Sequence, residues 1–172
     1  MRYIYLSIIS LSILSAGGGV LDVDWSTVTP KSGQQKASVP YPKVLTDGIK
    51  DVHLPVYLSS QYAYDKNMIV VADKNFYTIS IDLKDAVVTF QGDRTFQESV
   101  SPTNPEFQKI AKSSAPVEYV LAEGIMSATF NRHGVNYMIN IECEEPKKDK
   151  RCRETSLISS LYNRLIVVGG RP

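Results

Sequence analysis

The chain has 172 residues, enough for one domain or two small ones and too few for a large multidomain enzyme. Its 19 Lys and Arg against 18 Asp and Glu leave a formal charge of +1, with no basic surplus to neutralise a run of phosphates, so nucleic-acid binding is not expected. A 43% hydrophobic share with 22% charged residues lies far from the composition of disordered chains and provides for a packed core.

Met1-Arg2 opens a stretch that carries no charge from Tyr3 to Leu21 and is most apolar from Ile4 to Leu14. One basic residue, an apolar run and then Ser15, Ala16 and three glycines follow the plan of a signal peptide, with cleavage expected near residues 16 to 18. An uncleaved anchor is the alternative, because the uncharged stretch approaches the roughly 20 residues that a spanning helix needs. Its serines and consecutive glycines weigh against that. Contact with a membrane is expected only through such an uncleaved N-terminus.

Residues 19–48 are polar and interrupted by Pro30, Gly33, Pro40 and Pro42, without apolar periodicity, and read as a flexible linker carrying the lone Trp25. A single domain is expected over 49–172. His53 to Leu58 is a short apolar run whose Pro55 belongs at an edge or a strand start. Met68 to Ala72 is a compact strand. In the next segment Tyr77, Ile79, Ile81 and Leu83 face one way and Phe76, Thr78, Ser80 and Asp82 the other, as in a half-buried strand. After a turn at Lys84-Asp85, Ala86, Val88 and Phe90 continue the inward row up to Gly92-Asp93, which completes an antiparallel hairpin over 76–91.

From Ser99 to Ser114 the signal changes to a helix, with Thr103 and Glu106 at capping-box spacing and Phe107, Ile110 and Ala111 on its apolar side. A second strand group follows at 117–122, 125–131 and 135–143. In its last strand Val135, Tyr137, Ile139, Ile141 and Cys143 share a face and Met138 breaks the alternation. Arg132-His133-Gly134 makes the turn, glycine supplying the positive φ that such hairpins demand. Glu154 to Leu165 is an amphipathic helix, and Ile166 to Val168 a closing strand. The two halves echo each other with one residue of slippage, either as a duplicated βββα unit or through coincidence among strands that obey the same alternation. The fold class is α+β: a mostly antiparallel sheet with two amphipathic helices on one face.

Cys143 and Cys152 are the two cysteines of a chain that reads as exported, and a disulfide between them is the natural expectation. It closes the charged segment 144–151, and loop-closure entropy for about ten residues gives about 2.5 kcal/mol. The pair lacks the Cys-x-x-Cys spacing of a redox motif and the further soft ligands of a metal site, so no metal and no cofactor are expected.

His53 and His133 are the two histidines, which limits acid–base chemistry. No nucleophile elbow, zinc-protease helix, phosphate loop or dinucleotide glycine pattern occurs. Asp82, Asp85 and Asp93 read as turn residues rather than a glycosidase pair. Candidate contact residues are Tyr57, Tyr62 and Tyr64, whose rings offer amphipathic surface, and Asp93, Arg94 and Phe96 in the loop after the first hairpin. The expected function is that of an exported, periplasmic or extracellular, non-catalytic domain binding an envelope protein or a small ligand. The alternatives are a small secreted hydrolase with a site assembled from distant residues, His133 among them, or an inhibitor of an extracellular enzyme.

Overall fold

The computed structural model describes residues 18–28, 39–97 and 116–172. The expected leader over 1–18 lies almost wholly outside these residues, as does the helix expected between Ser99 and Ser114. The described chain is α+β and antiparallel. Among the described residues ten strands occur in chain order: β1 (Gly18–Val20), β2 (Val56–Ser59), β3 (Ile69–Asp73), β4 (Phe76–Leu83), β5 (Ala86–Asp93), β6 (Thr95–Gln97), β7 (Glu118–Ala122), β8 (Ile125–Arg132), β9 (Val135–Cys143) and β10 (Leu165–Gly169). The helices of the described residues are α1 (Lys43–Gly48) and α2 (Thr155–Asn163), with 3-10 turns at Trp25–Thr27 and Lys150–Cys152.

Six strands form one antiparallel sheet in the order β3-β4-β5-β9-β8-β7. It consists of two three-strand meanders joined through their last strands. Strands β3, β4 and β5 correspond to β7, β8 and β9 by a single displacement along the chain, with no insertion or deletion, and the cross-strand registers match throughout. The slippage expected between the halves is therefore absent, and the Phe90–Ile139 pair, whose two members are equivalent, lies on a pseudo-twofold axis. At equivalent positions of the three strands only Val71 and Val120 are identical. What the halves share is the alternation.

That alternation places the core. Tyr77, Ile79 and Ile81 of β4, Val88 and Phe90 of β5, Met126, Ala128 and Phe130 of β8, and Tyr137, Ile139 and Ile141 of β9 are buried on one face. Helix α2 seats Ile158 and Leu161 against this face, α1 adds Leu45 at the β3 side, and the two-stranded ribbon of β2 and β10 covers the middle. All four residues of β2 are buried. It begins directly after Pro55, whose missing N–H costs nothing there. The closing strand thus exists, beginning at Leu165 rather than Ile166. It pairs with β2 outside the main sheet, and the helix before it ends at Asn163.

Within 19–48, expected as a flexible linker, the described residues 19–28 and 39–48 form packed elements. β1 pairs antiparallel with β6, and Leu21 N donates to Arg94 O at 2.7 Å. Pro42, φ −56°, leads into α1 instead of breaking it, and Leu45 is fully buried, so the packed unit begins before residue 49. Cys143 and Cys152 are joined by a disulfide with Cα atoms 6.2 Å apart, as expected.

Candidate functional site

Two constellations stand out, one on each face of the sheet near the end where Gly92 lies. On the core face the row Tyr77, Gly92, Tyr137 and Phe130 crosses β4, β5, β9 and β8. A Cβ on Gly92 would collide with Tyr77 Cε1 and lie 2.9 Å from Tyr137 Cε1, so glycine here is what allows two tyrosine rings to close over the strand. Their hydroxyls tie the sheet to the segment before and within β2. Tyr77 OH donates to Tyr57 O at 3.1 Å and accepts from Tyr57 N at 2.9 Å, and Tyr137 OH donates to Pro55 O at 3.0 Å. Burial drives the pKa of both hydroxyls far upward, which keeps them protonated donors.

Tyr57 continues this network to His133. The β8–β9 turn has φ of +56° at His133 and +80° at Gly134, the paired positive angles of a type I′ hairpin, and it presents the imidazole toward Tyr57. Thr27 Oγ1 donates to Asp24 O at 2.8 Å and therefore accepts from His133 Nδ1 at 2.7 Å. His133 thus carries its proton on Nδ1, and Nε2 accepts from Tyr57 OH at 2.8 Å. Burial, reinforced by the neighbouring Arg132 charge and opposed by Asp24, lowers the His133 pKa and holds the ring neutral. Burial likewise raises Tyr57, with Arg132 pulling the other way. The Arg132 guanidinium lies over the rings of Tyr57, Phe130 and Tyr162 at 5.2, 5.0 and 5.0 Å. Both imidazole nitrogens are thus committed to hydroxyls.

On the opposite, outer face lies a solvent-open cavity of about 430 Å³. Its side chains come from the outward positions of the same four strands. The terminal row is Phe76, Asp93, Asn136 and Asn131, and the next row is Thr78, Gln91, Met138 and Thr129. Asp93 Oδ1 accepts from Thr95 N and Oγ1 at 2.7 and 2.8 Å, which fixes the carboxylate and leaves Oδ2 without a partner among the described residues. Gln91 Nε2 reaches Thr78 Oγ1 at 3.5 Å. One row further along the strands, Asn140 Oδ1 is buried with no hydrogen-bond partner among the described residues.

The candidate residues from the sequence divide between these places. Tyr57 and Tyr62 are 8% and 9% exposed, so they belong to the core and are not the contact surface expected of them. Tyr62 packs edge-on against Phe90. Only Tyr64 is exposed, at 44%, and its ring rests against Tyr41. Of the expected loop, Asp93 lines the cavity, whereas Arg94 turns to Asn75, its Nε donating to Oδ1 at 2.9 Å. Phe96 lies in β6, paired with Gly19, and its side chain is outside the described set. Asp82 and Asp85 sit at the far end of the β4–β5 hairpin from Asp93. Among the described residues no group of three His, Cys, Asp or Glu side chains is placed to hold a metal. The other cavity residues were not singled out by the sequence. The available signal was Met138, the apolar residue that breaks the polar row of β9, together with Phe76 on the outward row of β4.

Comparison of the chain with protein-family models, with curated proteins and with solved structures returned no match.

Proposed function

We propose that the protein is an exported, non-catalytic domain that holds a small uncharged polar ligand on the outer face of its sheet. The observation that carries this reading is the cavity itself. Its volume lies within the roughly 300–1,000 Å³ of small-molecule sites, and it is set on four strands whose other face is packed core. Ordered strands hold the backbone of such a lining in place, which lowers the cost of ordering it on binding. Export is supported by the leader pattern and by the disulfide that closes a charged loop. The non-catalytic reading is supported by His133, whose two nitrogens are occupied by Thr27 and Tyr57, leaving neither to take a substrate proton. An inhibitor acting through a rigid loop would need no cavity, so the small ligand is favoured over it.

The test is a thermal-shift screen of the purified protein against uncharged polar fragments, run beside Thr129→Arg, which puts a long charged side chain in the cavity lining. Fragments that raise the Tm of the wild type and leave the variant unmoved support the proposal. No shift with any fragment, or equal shifts in both proteins, contradicts it.

A further inference from the structure

Resting on that reading, we infer that the ligand is a neutral saccharide bound along the row Phe76, Asp93, Asn136 and Asn131. A sugar hydroxyl is donor and acceptor at once, so its site must offer both. Asp93 Oδ2 supplies a fixed acceptor, and the two carboxamides each supply an acceptor and two donors. Neither amide is tied up in a side-chain hydrogen bond among the described residues. At one end of the row the partly exposed ring of Phe76 offers a flat apolar face for the C–H side of a sugar ring, and Met138 adds a second apolar contact one row in.

Spacing agrees with this chemistry. Adjacent strands lie about 4.8 Å apart, so the four side chains span roughly 14 Å, the length of a short oligosaccharide. Charge excludes the main competitors. Among the described residues the lining holds no Lys, Arg or His and its single ionised group is acidic, so phosphates, sulfated sugars and free carboxylates are repelled rather than held. A lipid chain would strand the amides and hydroxyls of the lining without partners.

The experiment is a glycan array of neutral and acidic oligosaccharides probed with the labelled full chain, wild type and Asn136→Ala. Asn136 is exposed and contributes no packing, so the variant is expected to keep the wild-type Tm. The expected result is binding confined to neutral glycans, weakened about tenfold in Asn136→Ala through loss of the amide's hydrogen bonds. Binding to acidic glycans alone, or binding unchanged in the variant, overturns the inference. An empty array with fragments still bound to the cavity overturns the saccharide and keeps the site, as does a peptide or other non-sugar captured there. An empty array with a failed fragment screen removes both.

Discussion

His133 illustrates how a single side chain can join three parts of the chain. Its ring hydrogen-bonds Thr27 of the N-terminal segment and Tyr57 of β2 from a turn between β8 and β9. The backbone there is left-handed, a conformation that bulky residues seldom adopt, so the side-chain bonds offset a local cost. The charged and titratable groups facing it are Arg132, Asp24 and Tyr57. Because its folded pKa is lowered, the unfolded chain takes up the proton more readily than the folded one. The neutral ring's contribution to stability is then complete above the ordinary value of 6.5 and is lost as pH falls from there through the lowered folded value. The expected outcome is a Tm that drops more between pH 7.5 and pH 5.5 in the wild type than in His133→Asn, asparagine being tolerant of this φ. Parallel Tm–pH curves for the two proteins would show that the imidazole does not sense pH in the fold.

At the scale of strands, the two meanders solve one packing problem in two ways. Gly92 between Tyr77 and Tyr137 is equivalent to Ile141 between Met126 and Val88, so the central residue of the row is small where its neighbours are large and large where they are smaller. Gly92→Ala forces the two tyrosine rings aside, and urea unfolding is expected to report a loss of about 1–3 kcal/mol, typical of an overpacked core. A change below about 0.5 kcal/mol would mean the rings move freely. One-sided packing also decides which elements are legible in the sequence. β4, β5, β8 and β9 bury one face and expose the other, so period two is written into their residues, down to the inward rows. β1, α1 and the β2–β10 pairing leave no such trace. α1 is six residues long with one buried side chain, and β1 is held through backbone bonds to β6 that any sequence can make. The cavity was illegible for a related reason. Hydroxyls and amides on an outward row are what solvent exposure alone would select, so only Met138 and Phe76 depart from the expected pattern. The tyrosines at 57 and 62 misled because a ring with a hydroxyl suits an interface and a hydrogen-bonded core equally.

Over the whole molecule, the disulfide, the N-terminal segment and the sheet divide the tasks. The Cys143–Cys152 bridge anchors the charged 144–151 loop to the end of β9, and Pro146 of that loop packs over the β7–β8 turn at Gly124. The N-terminal segment runs from β6 to the β8–β9 turn and is hydrogen-bonded at both. One face of the sheet is thus packed, and the proposed ligand site lies on the opposite face. The most direct test is an NMR titration of the isotopically labelled chain with a fragment that raises its Tm. Amide shifts confined to residues 76–78, 91–93, 129–131 and 136–138 are the predicted result. Shifts gathered instead at 57–64 or along α2, with the sheet's outer face silent, would contradict the account.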